Sequence, residues 1–308
     1  MSKQQSEIRK DYFLDKYVLI APGRAKRPRD FAPTGAAKEA ADCDFCPAKL
    51  PINKIIDSVG KKDNWQIAAI KNIFPVLSLN NPKAYGVQEV IIETPRHGLT
   101  LAELSVDQIE KLLKFYAART AALSKIKNLD YILIFKNSGA RAGASLSHAH
   151  SQIFATKILP PEILKELTEA KSYQSKHRRC PYCDIIKKEE RSARRIYADK
   201  QVVAFAPFAS EQHFEAWLFT RRHIDNITRL TEAEFSSFAK ALKKILSKLH
   251  QLGLAYNFFM HQVISDTGQH FYLKIQPRDN IWGGVELGSG LIINSVSPEA
   301  AAKYYRSK

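Results

Sequence analysis

The sequence predicts an α+β fold built from two tandem units of one plan, and three observations lead there. Cysteine occurs only as two Cys-x-x-Cys pairs, Cys43-Asp-Phe-Cys46 and Cys180-Pro-Tyr-Cys183. Each pair is followed, in the same order, by an apolar stretch ending near a histidine, a capped amphipathic helix, an apolar strand and a further histidine. The separation between matching residues shrinks steadily along the chain, as small loop deletions in one copy would produce. That period is too long for a solenoid, so the repeat reads as a duplicated domain. Each unit is expected to be a mostly antiparallel sheet with one main helix. The units span 1–156 and 180–308, joined by a linker over 157–179 that opens with Pro160-Pro161 and contains a short polar helix. At 308 residues the chain has room for two domains, each with its own core. Residues 1–9 and the last few after Tyr305 are expected to fray.

Taken in order, Glu89-Val-Ile-Ile-Glu-Thr-Pro-Arg-His97 aligns with Glu215-Ala-Trp-Leu-Phe-Thr-Arg-Arg-His223. Leu101–Ser105 then matches Ile227–Thr231, and each opens a helix with a capping box, Ser105 to Gln108 and Thr231 to Glu234. Ile109, Leu112, Leu113, Tyr116 and Ala117 make a helical-period stripe, as do Phe235, Phe238, Ala239, Leu242 and Leu246. Apolar strands follow at Tyr131–Phe135 and Tyr256–Met260. Finally His148-Ala-His-Ser-Gln-Ile153 aligns with His270-Phe-Tyr-Leu-Lys-Ile275.

The repeat assigns two metal sites. Cys43, Cys46, His97 and His148 form one Cys₂His₂ set; Cys180, Cys183, His223 and His270 form the other. Two thiolates and two imidazoles suit tetrahedral Zn²⁺, and four protein ligands make each site structural rather than catalytic. A thioredoxin-type reading of Cys180-Pro-Tyr-Cys183 is disfavoured, because a basic stretch precedes it and Lys187-Lys-Glu-Glu190 follows.

The same alignment separates a nucleophile. His148 has a counterpart in His270, but His150 is matched by Tyr272 and Gln152 by Lys274. His150 follows a run of small residues, Gly139 to Ser145, that lets backbone approach a ligand closely. Neutral imidazole attacks phosphorus well at neutral pH and leaves well once it carries a nucleotidyl group. Gln152 is placed to hold a phosphate oxygen, and Gly143, Ala144 and Ser145 to offer backbone N–H groups to developing charge. His177, His213, His250 and His261 are read as structural.

The net charge of +16 points to an anionic ligand. A zinc-stabilised RNA-binding module is the alternative from another class. It leaves His150 and the glycine loop unexplained, and no basic run is interleaved with stacking aromatics, so nucleic acid is not the expected partner. No apolar signal core opens the chain and no run reaches membrane-spanning length, so a cytoplasmic protein without a membrane partner is expected.

The order Cys-x-x-Cys, Asn72-Ile-Phe-Pro-Val-Leu77, histidine, then Asn137-Ser-Gly-Ala-Arg-Ala-Gly-Ala-Ser-Leu-Ser-His148-Ala-His150-Ser-Gln152 resembles the galactose-1-phosphate uridylyltransferase family, of the histidine-triad superfamily. Tyr17-Val-Leu-Ile-Ala-Pro-Gly-Arg-Ala-Lys-Arg-Pro28 is similar to that family's N-terminal signature. The resemblance implies two tandem histidine-triad-like domains, the second with a degenerate site. It makes His150 the carrier of a nucleoside monophosphate between a nucleotide sugar and a sugar phosphate. Asn72, Asn137, Gly143 and Ser145 would line the pocket, and Glu286 would contact sugar. Arg24 and Arg27 match a basic loop that reaches the neighbouring subunit's nucleotide, which implies a homodimer. Ala149 and His213 stand where the family commonly has proline. The second Cys-x-x-Cys looks like the branch that transfers adenylyl groups from an ADP-sugar to phosphate, so that reading stands beside the favoured uridylyl one.

Overall fold

The computed structural model describes residues 6–26, 43–264, 266 and 268–307. In chain order its strands are β1 (Glu7–Lys10), β2 (Tyr17–Ile20), β3 (Ile55–Lys61), β4 (Asn64–Lys71), β5 (Gly86–Ile92), β6 (Tyr131–Ser138), β7 (His150–Thr156), β8 (Arg195–Ala198), β9 (Val202–Phe205), β10 (Ala216–Thr220), β11 (Tyr256–His261), β12 (Tyr272–Pro277) and β13 (Ile292–Asn294). The helices are α1 (Val106–Leu123), α2 (Pro161–His177), α3 (Pro181–Glu189), α4 (Glu232–Gln251), α5 (Gly284–Ser289) and α6 (Pro298–Arg306).

Ten strands form one sheet in the order β3-β4-β5-β7-β6-β11-β12-β10-β9-β8. Read inward from either edge the connectivity is the same, so the duplication is visible as a pseudo-dyad between β6 and β11. Phe135 pairs with Phe259 across that join. All ten strands pair antiparallel. The expectation of two separate cores is corrected here. Both capped helices, α1 and α4, lie on one face and contribute to a single apolar cluster with Ile91, Ile134, Ile153, Leu218, Phe258 and Leu273. The physical reason is the β6–β11 pairing, which leaves no edge between the halves.

The opposite face carries both cysteine knuckles and His150. There the first knuckle packs Cys43 and Phe45 on Val90 and Ile92. The second packs Tyr182, Ile185 and Ile186 of α3 on Phe219 and Tyr272. The predicted polar linker helix is the 17-residue α2, which buries Ile163, Leu167 and Ala170. Its Ile163 and Leu167 meet Tyr131 and Val263 between the two knuckles.

Two further expectations fail. Residues 7–10 are not frayed: β1 pairs with β2, and β2 pairs parallel with β13 from the far end of the chain. Residues beyond Tyr305 begin with Arg306, which still belongs to α6. The Glu89–Glu215 alignment is also one residue out of register. Ile92 lies opposite His150, and Phe219 lies opposite Tyr272. Glu89 therefore faces the helices, where Arg119 holds it at 2.9 and 2.6 Å. Glu215 lies on the other face, bonded to Trp217 Nε1 at 2.8 Å. A one-residue slip moves a side chain to the opposite face, and the extra residue is absorbed in the loop before His97.

Candidate active site and metal centres

The two Cys/His sets predicted from the repeat are both assembled, with all ligand atoms in each set within 4.8 Å of one another. In the first, His148 Nδ1 lies 3.5 Å from Cys43 Sγ and 3.7 Å from Cys46 Sγ, and His97 Nδ1 lies 3.6 Å from Cys46 Sγ. In the second, Cys183 Sγ is 3.6 Å from His223 Nδ1 and 3.8 Å from His270 Nδ1. A tetrahedral ion bonded to sulfur at about 2.3 Å and nitrogen at about 2.1 Å holds such atoms about 3.6 Å apart. The residues therefore fit a metal ion. The outer ring nitrogens are fixed too: His148 Nε2 donates to Thr94 O at 2.7 Å and His270 Nε2 to Thr220 O at 2.9 Å. Such carbonyl partners orient an imidazole toward a metal. The bond between the two thiols pulls Cys180 far below its ordinary range, with help from His223 and His270, and pushes Cys183 up, so the pair shares one proton that a metal would displace.

His150 opens β7 and is nearly enclosed. Its Nδ1–H donates to the carbonyl of His148 at 2.8 Å, which fixes the tautomer and leaves the Nε2 lone pair for attack. Burial pushes its pKa down and the nearby Lys136 ammonium adds to this, so the ring is neutral at physiological pH. Phe45, from inside the first Cys-x-x-Cys, meets the His150 ring edge-on at 5.3 Å. The knuckle thus packs directly on the candidate nucleophile. Gln152 follows two residues later on the same face.

The small-residue loop is tighter than the sequence suggests. Ala140–Ala142 form a 3₁₀ turn, flanked by Gly139 at φ +86° and Gly143 at φ +85°, values that favour glycine. The N–H of Gly143 donates to Ala140 O at 2.9 Å and that of Ala144 to Gly139 O at 3.2 Å. Two of the three amides expected to face phosphate, those of Gly143 and Ala144, therefore close the turn instead. Asn137 leaves β6 beside this loop, its Nδ2 3.4 Å from Gly143 O.

The other predicted residues are more scattered. Asn72 starts the exposed loop before β5, its Oδ1 accepting from Phe74 N at 2.9 Å. Glu286 turns back to accept from Gly283 N at 2.8 Å and so starts α5. Arg24 is exposed on a 3₁₀ turn over Pro22–Lys26, and Arg27 lies outside the described residues.

Sequence reasoning missed the supports. Lys136 Nζ donates to the carbonyl of His150 and to Glu93, each at 2.8 Å, and this ion pair is almost fully buried. Tyr116 OH pairs with Ser151 Oγ at 2.6 Å behind the same strand. Asn257, from β11, reaches the loop from the other half. A lysine ending the apolar run Tyr131–Phe135 was the one available signal.

The matching place in the second half is filled. Tyr272 stands for His150, donating to Glu166 Oε2 at 3.2 Å and stacking on His261 at 4.3 Å. Lys274 stands for Gln152 and is held by Glu215 at 3.5 Å. Phe13 of the N-terminal segment packs edge-on against Tyr182. The cavity left there, about 20 Å³, is on the scale of one water molecule.

Both halves carry a Cys₂His₂ group, and the first has His150 where the second has Tyr272, the arrangement expected of a histidine-dependent transferase. Comparison with known proteins agrees: residues 61–160 match the model of the galactose-1-phosphate uridyl transferase N-terminal domain. The chain is 30% identical to ADP-glucose phosphorylase of Arabidopsis thaliana, covering 99% of this chain and 94% of that one. It is 27% identical to galactose-1-phosphate uridylyltransferase of Thermotoga maritima, covering 97% and 98%. The crystal structure of the Arabidopsis thaliana ADP-glucose phosphorylase with bound ADP-glucose superposes with a TM-score of 0.86, covering 99% of each chain. The chain belongs to this family of nucleotidyltransferases, which takes in the uridylyltransferases and ADP-glucose phosphorylase.

Proposed function

We propose that the protein moves a nucleoside monophosphate between a nucleotide sugar and a phosphate-bearing acceptor through covalent His150. The observation that carries this is the hydrogen bond from His150 Nδ1–H to the His148 carbonyl, which leaves Nε2 as a neutral nucleophile beside the glycine loop. Nε2 attacks the α-phosphorus, the P–O bond to the β-phosphate breaks, and the sugar 1-phosphate leaves with the electron pair. An acceptor phosphate oxygen then attacks the same phosphorus and His150 leaves neutral. Gln152, the Ser145 N–H and Asn137 would hold the phosphoryl oxygens, with Asn72, Gly143, Ala144, Arg24 and Arg27 around the nucleotide and Glu286 toward the sugar.

Uridylyl transfer from UDP-glucose to a hexose 1-phosphate is the favoured version, on the likeness to the uridylyltransferases. Adenylyl transfer from an ADP-sugar to phosphate is favoured by the whole-chain likeness to the Arabidopsis thaliana phosphorylase. The test is incubation with α-phosphate-labelled UDP-glucose or ADP-glucose, followed by a search for an acid-labile, alkali-stable label. The donor that labels the wild type assigns the base. Label retained in His150→Ala, or none from either donor, sinks the covalent reading.

Zn²⁺ would fill both Cys₂His₂ groups in a structural role, the first fixing Phe45 against His150. Elemental analysis should find two zinc ions per chain, and a count of one would remove a site. In this reading 1–156 is the catalytic unit, 157–179 the linker and 180–308 the degenerate unit. A cytoplasmic homodimer fits four cysteines that form no disulfide and the exposed apolar side chains Phe74, Val76, Ile281 and Leu287. Among the described residues no helix is long and apolar enough to cross a membrane.

A further inference from the structure

We infer that Asn257, carried by the half without a nucleophile, is a positioning residue for the small-residue loop of the other half. The inference rests on the transfer reading only for the chemistry that the loop serves. β11 pairs with β6 so that Asn257 lies opposite Asn137. From there its Nδ2 donates to Asn137 Oδ1 and to Ala142 O, both at 2.8 Å. A carbonyl can only accept, so the group facing Ala142 is the NH₂ end of Asn257, and its two protons are both used. One acceptor sits where the chain leaves β6 and the other at the end of the 3₁₀ turn. A single amide therefore ties the two limbs of the loop together.

The tie also orients Asn137. With its oxygen held by Asn257, its own NH₂ is turned toward Gly143 O. Ala255 completes the brace from the residue preceding β11: a Cβ added at Gly139 would lie 2.9 Å from the Ala255 Cβ. The arrangement is one-sided. Phe135 and Phe259 face each other across the pseudo-dyad, so the counterpart of Asn257 is Leu133, which packs beside α2. The second half has lost its nucleophile and supplies the strut that shapes the working site.

The experiment uses full-length protein, single-turnover labelling with the α-phosphate-labelled donor, and amide hydrogen exchange across 136–146. Asn257→Ala and the near-isosteric Asn257→Asp, which replaces the donor by an acceptor, should label to the wild-type amplitude per folded chain. Their rate constants should fall roughly tenfold to a hundredfold, the scale on which small misplacements act, and exchange at Ala142–Ser145 should quicken. Wild-type rate constants and exchange in both variants overturn the inference. So does a reduced amplitude with an unchanged rate constant, which would mean that Asn257 only supports the fold. A wild type that takes no label removes the transfer reading, and exchange, needing no substrate, still decides whether Asn257 holds the loop.

Discussion

Behind the candidate nucleophile, Lys136 and Glu93 form an ion pair whose side chains are 3% and 0% exposed. A charge in such a place is tolerated only with its partner, because desolvation is costly and the Coulomb attraction must offset it. Lys136 has a second task, donating to the His150 carbonyl, so it also fixes the start of β7. Lys136→Met should therefore destabilise the fold by about 3–5 kcal/mol, the range for breaking a buried pair. Lys136→Met combined with Glu93→Leu should recover part of that loss. Denaturant midpoints at constant m-value decide it, and simple additivity would show that the two charges are not coupled. This support was hidden in the sequence because its partners lie on separate elements. The cysteines and histidines were legible for the opposite reason: few side chains can do their chemistry, and the repeat displays them twice.

Local signals at the scale of elements were read well. Both capping boxes are present, Ser105 with Gln108 and Thr231 with Glu234, since a cap depends on residues three apart. The N-terminal hairpin was not readable, because what orders it comes from the other end of the chain. Arg9 donates to Glu299 of α6 at 3.1 Å, and Arg194 donates to the same carboxylate at 2.9 Å. Burial alone would raise the pKa of Glu299, but the two guanidiniums bring it below the ordinary value. Its stabilisation is therefore complete above the unfolded carboxylate pKa of about 4.3 and is lost as pH falls through the lower folded value. The stability difference between wild type and Glu299→Gln should stay constant from neutral pH down to about 4.5 and shrink only below it. Denaturant midpoints across that range measure it; a difference that disappears near neutral pH would show that the carboxylate does not clamp β1.

For the whole molecule, the duplication could be read but the join could not. The order of cysteine pair, histidine, helix and histidine announced two equivalent units, and the sheet shows the same strand connectivity in each. Pairing of β6 with β11 leaves no local trace, since two strands far apart in sequence carry no mark of being neighbours. That pairing decides how the protein should unfold. Phe258 sits on β11, fully buried, in the apolar cluster shared by α1, α4 and the strands of both halves. Truncating it to alanine should cost about 3–5 kcal/mol, as a buried aromatic does. In a molecule of two independent cores, that loss would fall on the second half and the first would keep its site. With one sheet and one shared core, β6 cannot keep its pairing once β11 has gone, and Asn137 and the loop beside it go with β6. Calorimetry of Phe258→Ala should therefore show one transition at lower temperature than wild type. The capacity of His150 to take label after brief heating should fall along that same transition. Labelling that survives past the melting of the second half would mean that the two halves stand apart.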